Sequence, residues 1–184
     1  KMDLDAIQDE RTEGELGGRV KSVTVASNNP VFAQAENCIY ERATGTLAVF
    51  VGTKKSMTLP EEIRYISDVH SQVGKEMERL VIPASFRGFK TNQCFVKGIR
   101  VKSGGVMEFL SAVPPAIKKG GKQIDLGTNC FLIVPRKGAK AYKKWFAKEM
   151  REEGNMTIKT KGKRACIVEK NTEFYDDMMD KYGF

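Results

Sequence analysis

The apolar residues of this chain come in short runs, each cut off by a turn-forming cluster, and this punctuation limits the fold more than any other feature of the sequence. Leu47 to Val51 stops at Gly52, and Cys130 to Val134, the most apolar run, is bounded by Gly127 and Pro135. Such runs suit strands of about five to six residues. They fall far short of the roughly 20 apolar residues that span a bilayer, and Lys1-Met2-Asp3-Leu4 does not open a signal peptide, so neither membrane insertion nor secretion is expected. With 184 residues, 41% hydrophobic and 29% charged, the chain is long enough to bury a core without disulfides or metals.

The residue pattern along the chain predicts an acidic N-terminal arm at residues 1–18, ending in Leu16-Gly17-Gly18, and one α+β domain over residues 19–184. The domain is expected to hold a mostly antiparallel sheet with short flanking helices. Val20 and Ser22 to Val25 alternate as a strand does, closed by Ser27-Asn28-Asn29-Pro30. Asn37 to Ala43 and Thr46 to Val51 read as a hairpin around Thr44-Gly45. Thr58-Leu59-Pro60-Glu61 resembles a helix start, followed by Ile63, Ile66, Val69 and Val73 near helical spacing, and Lys75 to Leu80 extends that helix. A second short helix is expected over Gly105 to Val113, stopped by Pro114-Pro115. Asn129 to Val134 is placed as a central strand. Ala139, Tyr142, Phe146 and Met150 then recur at spacings of three and four with lysines between them, the clearest amphipathic helix in the chain. Met156 to Thr160 and Arg164 to Glu169 form a strand pair around Lys161-Gly162-Lys163, and Phe174, Met178 and Tyr182 one side of a last helix.

Charge is distributed unevenly. The formal net charge is +8, yet residues 1–18 carry two basic and six acidic groups, whereas residues 97–164 carry seventeen basic and five acidic. From Ala165 onward the balance returns to −3, with Asp176, Asp177 and Asp180 close together. Two uses fit this polarity: phosphate contacts with nucleic acid, or mutual contact of oppositely charged surfaces in an assembly. Neither an RNP motif nor zinc-finger spacing accompanies the lysines, so base-specific reading is not expected. The candidate contact residues are Lys118, Lys119, Lys122, Lys140, Lys143, Lys144 and Lys148.

Little in the sequence points to catalysis. There is no Walker loop, GxSxG elbow, HExxH or Rossmann fingerprint. Cys38, Cys94, Cys130 and Cys166 are widely spaced, unlike paired metal ligands, and read as reduced buried thiols. With His70 as the sole histidine, a thiol enzyme using Cys94 or Cys130 is the weakest reading. Glu61-Glu62, Glu76 with Glu78, and Glu152-Glu153 lie in charged surroundings and read as surface groups. No catalytic residue, metal or cofactor is therefore expected.

Several short motifs occur in a fixed order. Asn29-Pro30-Val31-Phe32 leads through Arg42-Ala43-Thr44 into Leu47-Ala48-Val49-Phe50-Val51-Gly52. Tyr65-Ile66, Gln72-Val73-Gly74 and Lys75 to Leu80 follow, then Gly105 to Ser111 and Phe131-Leu132-Ile133-Val134-Pro135-Arg136-Lys137-Gly138. In this order they resemble the minor tail proteins of the Z type in tailed phages, the tail-completion family. The resemblance implies a non-enzymatic virion protein acting in tail completion or head–tail joining at the neck, made in the host cytoplasm, forming a homo-oligomeric ring, with other tail or neck proteins as partners and nonspecific DNA contact. The alternative is a sequence-nonspecific nucleic-acid-binding protein whose basic second half grips phosphates while Tyr142 and Trp145 stack bases.

Overall fold

The computed structural model describes residues 23–50, 55–71, 77–89, 101–117, 131–150, 156–169 and 175–184. Turn chemistry shapes its first part. Asn29 Oδ1 accepts the backbone N–H groups of Val31 and Phe32, and the Arg42 guanidinium donates to the carbonyls of Ser27, Asn29 and Phe32. These bonds fix the entry into β1 (Phe32–Ala35), which pairs antiparallel with β2 (Cys38–Glu41). Next comes β3 (Thr46–Phe50), joined to β2 across the expected turn. Gly45 there has φ +68, and a Cβ would also strike the Glu62 carbonyl, so only glycine fits.

Beyond β3 the chain winds. Successive strands β4 (Ser56–Thr58), β5 (Tyr65–Ser71), β6 (Met77–Ile82), β7 (Gly88–Phe89), β8 (Val101–Phe109), β9 (Ala116–Ile117) and β10 (Phe131–Pro135) pass alternately to one sheet and the other. Neighbours in each sheet are therefore parallel: β3, β5, β7 and β9 in the first, β4, β6, β8 and β10 in the second. Parallel neighbours require a crossover, usually a helix. Here each crossover includes a strand of the opposite sheet. The hairpin of β11 (Met156–Lys161) and β12 (Arg164–Glu169) extends the second sheet antiparallel beside β10. The final orders are β1-β2-β3-β5-β7-β9 and β11-β12-β10-β8-β6-β4.

Two helices complete the described fold, α1 (Ala139–Met150) and α2 (Tyr175–Tyr182). The two sheets share one core: Cys38, Leu47 and Ile66 of the first meet Leu80, Ile82 and Met107 of the second, and α1 adds Tyr142 and Phe146 where the second sheet extends past the first. On the opposite face of the second sheet, Val106, Phe131, Ile133, Cys166 and Val168 pack with Met179 of α2. Burying each such large apolar side chain contributes about 1.5–3 kcal/mol.

The α+β class is as the sequence predicts, and β2–β3, β10, α1, β11–β12 and α2 stand where expected. The sheets, however, are mixed, with six parallel ladders and four antiparallel ones among the described residues. Both short helices are replaced by strands. In the segment after Thr58 only a single turn forms, closed by Ile63 N–H to the Pro60 carbonyl, and Tyr65 then enters β5. The cap-like residues lose to nonlocal pairing, because β4 and β5 each find a parallel partner from the next coil. Residues of the predicted extension, Met77 to Leu80, lie in β6. In β8, Val106, Met107, Glu108 and Phe109 are buried on both faces, and a run buried on both faces has no alternation to distinguish it from a helix. Val23 to Ala26 form no strand pairing, though Val23 and Val25 pack against Ile39 and Val49. The acidic arm at residues 1–18 lies outside the described residues.

Candidate functional site

Three of the cations that the sequence singled out, Lys140, Lys143 and Lys144, lie where β10 ends. Pro135 releases the chain into a 3-10 turn, Arg136–Gly138, that runs directly into α1. Spacings of three and four turn Ala139, Tyr142 and Phe146 inward, which leaves Lys140 and Lys144 exposed and Lys143 half-exposed. The helix is held by its aromatics. Tyr142 Oη lies 3.1 Å from the carbonyl oxygens of both Ser111 and Val113, and Trp145 Nε1 donates to the Pro115 carbonyl at 3.1 Å. Phe109 packs against both rings at 5.1 and 5.7 Å between centroids.

The β11–β12 hairpin brings further cations to the same end. Lys161 is paired with Arg164, and Pro135 with Arg164, so the hairpin tip lies beside the exit of β10. Arg136 N–H donates to the Lys163 carbonyl at 2.8 Å, and its Nη1 reaches the Gly162 carbonyl at 3.5 Å. Register decides the faces. Lys159 opposes Cys166 and so points to the α2 side, as do Lys161 and Arg164, whereas Ile158 and Thr160 oppose Ile167 and Ala165 of the main core. Arg164 lies over the Phe184 ring at 5.2 Å. A band of cations thus runs from the α2 face, round the tip at Lys163, Arg136 and Lys137, to Lys140 and Lys144 on α1.

Among the described residues no carboxylate pairs with the band. No acidic residue occurs in residues 131–146 or 156–168. The ion pairs among the described residues, Arg79 with Glu108 and Lys181 with Glu78, involve none of these cations. The first turn of α1 also holds no acid, although the partial positive charge of a helix N-terminus favours one by about 0.3–1 kcal/mol. Cations at that end work against local stability.

Of the seven sequence candidates, Lys140, Lys143 and Lys144 belong to this end. Lys148 lies in α1 with its side chain outside the described residues, as are Lys118, Lys119 and Lys122 altogether. Sequence reasoning missed Arg136, Lys137, Lys159, Lys161, Lys163 and Arg164 as site residues. The Lys-x-Lys alternation of Lys159 and Lys161 on a strand was the available signal, but only the hairpin's pairing with β10 brings it beside α1. The stacking role for Tyr142 and Trp145 is overturned: Tyr142 is fully buried, and Trp145 is committed to the core and to Pro115.

A second polar feature lies across β4, β6 and β8. Glu36, Ser56, Thr58, Arg79 and Glu108 line an open groove of about 460 Å³, spanned by the Arg79–Glu108 ion pair. Beside it, burial raises the Tyr182 phenol above its ordinary pKa, with Arg79 acting against the shift and Glu78 and Glu108 adding to it. Cys38 and Cys166 are buried thiols, and burial pushes the Cys166 thiol up to about 12 despite nearby Arg164. His70 lies in β5 with its side chain outside the described residues, as are Cys94 and Cys130. Among the described residues no three metal-ligating side chains cluster, and no helix is long and apolar enough to cross a membrane. Comparison with known protein families, curated proteins and solved structures finds no match to this chain.

Proposed function

We propose that this chain is a structural subunit that works by surface contact and not by catalysis, and that its assembly is the tail or neck of a tailed bacteriophage. The motif order from Asn29 to Gly138 supports the tail-completion or head–tail joining role within that assembly. In this role its partners are other tail or neck proteins, its copies form a ring, and its place is the virion.

A single observation carries the contact reading: exposed cations of the 3-10 turn, α1 and the β11–β12 hairpin meet at one end of the fold, and among the described residues none of them pairs with a carboxylate. A surface that only kept the protein soluble would mix both signs, because interspersed opposite charges cost less. Exposed Asp176, Asp177 and Asp180 on α2 give the chain an acidic surface as well. Particles assembled with Lys140→Glu, Lys144→Glu and Lys163→Glu together test the proposal. Tails that fail to join heads are the expected outcome, and particles normal in number and infectivity overturn it.

A further inference from the structure

We infer that the cationic end docks on the phosphodiester backbone of a nucleic-acid duplex, gripping phosphates without reading bases. This rests on the reading of that end as the contact surface, and it names the partner. The band lacks the anchors of a protein interface. A protein interface draws its affinity from a desolvated centre of aromatic or aliphatic anchors, and lysine is depleted there. Here the aromatics beside the lysines of α1, Tyr142 and Trp145, are turned inward and hydrogen-bonded to the loop after β8, and the Phe184 ring is covered by Arg164. The large exposed hydrophobics among the described residues, Val31, Leu110 and Val113, belong to none of the elements that carry the band, although the loop of Val113 adjoins α1. Phosphate contact requires no such anchor, since neutralising cations and the release of condensed counterions supply the affinity.

Geometry supports the same partner. The band is a ridge and not a cup, since it passes over the hairpin tip from one face of the second sheet to α1 on the other. A ridge whose tip is a two-stranded ribbon suits a duplex groove, where phosphates flank it on both sides. The tip is held in place by the bonds from Arg136 to Lys163 and Gly162. Because lysine is a flexible point charge, the surface favours no base sequence. Single strands bound through stacked bases are disfavoured, since among the described residues no aromatic ring is fully exposed.

The test is a titration of the full chain with two unrelated 20-base-pair DNA duplexes, read by fluorescence anisotropy from about 50 to 200 mM salt. With six phosphates neutralised, affinity falls about 1,000-fold over that range, equally for both sequences. The variant Lys137→Glu, Lys140→Glu, Lys161→Glu, Lys163→Glu reduces the slope of log affinity against log salt by about four, while Arg87→Glu leaves it unchanged. A circular-dichroism melt equal to that of the unaltered chain shows that the variant folds. A flat salt response, a slope unmoved by the four reversals, or polyglutamate displacing the duplex at equal charge each overturns the inference. Absence of duplex binding alongside charge-dependent particle assembly overturns this partner and leaves the assembly role intact.

Discussion

Gly138 lies directly against the carbonyl oxygen of Ala112, with no room for a side chain between them. The contact joins the 3-10 turn, where the cationic end begins, to the loop after β8, and it lets Arg136 reach the hairpin tip. The overlapping atoms are backbone, so the site has no flexible group to yield. Gly138→Ala is expected to cost about 1–3 kcal/mol, as overpacking does, measured by urea unfolding. A cost below about 0.5 kcal/mol shows the contact to be soft.

Tyr142 is the strut under α1. Removing only its hydroxyl, in Tyr142→Phe, takes a donor from the Ser111 and Val113 carbonyls and is expected to cost about 1 kcal/mol. Tyr142→Ala also removes the ring packed on Phe109, at a cost of about 3–5 kcal/mol. Trp145, the chain's only tryptophan, reports both changes, since its ring stands edge-on to Tyr142 at 5.9 Å. The phenylalanine variant should keep the native emission maximum, and a red shift contradicts the assignment.

Burial of Cys166 and Tyr142 makes the fold sensitive to alkali. Burial holds Cys166 up at about 12 against an ordinary 9.0, and it likewise raises Tyr142 well above an ordinary 10.0. Both folded-state values are raised, so the stabilisation is complete below the unfolded pKa and is lost as pH rises through the folded one. From about pH 9 the unfolded chain releases the thiol proton while the folded chain retains it, and stability should fall by about 1.4 kcal/mol per pH unit. Cys166→Ala should delay the onset toward pH 10, where tyrosine ionises. Urea midpoints from pH 7 to 11 check this, and a decline starting at pH 9 in the variant contradicts it.

The Arg79–Glu108 pair is asymmetric. The Glu108 side chain is 12% exposed and that of Arg79 41%. Arg79→Ala leaves a nearly buried carboxylate and is expected to cost about 1–3 kcal/mol, whereas Glu108→Ala leaves a cation that water reaches and should cost under about 1 kcal/mol. Arg79 Nε is buried without a hydrogen-bond partner. The pair is thus incompletely satisfied, and Arg79→Met with Glu108→Leu should change stability by less than about 1 kcal/mol. A double-mutant cycle by chemical denaturation decides the order.

Local patterns were legible where one face of an element stays polar. Helix α1 shows its period because Tyr142 and Phe146 alternate with solvated lysines, and the β2–β3 turn announces itself through Thr44-Gly45. Strand β8 was illegible for the opposite reason, since Val106 faces α2 while Met107 and Phe109 face the sandwich core. The cationic end was half legible. Lys140 and Lys144 follow from helical spacing, whereas Lys161 and Lys163 join them only through pairing across the β10–β12 ladder.

By itself, the sequence determined the number of short apolar runs, the turns between them, the faces of α1 and the sign of each half, because these depend on residues within a few positions of one another. Tertiary structure alone decided that successive runs alternate between two sheets, so that neighbours pair parallel, and that lysines from a helix and a distant hairpin share one end. Those outcomes depend on which segment supplies the partner for each strand's hydrogen bonds, and that competition is settled only across the whole core.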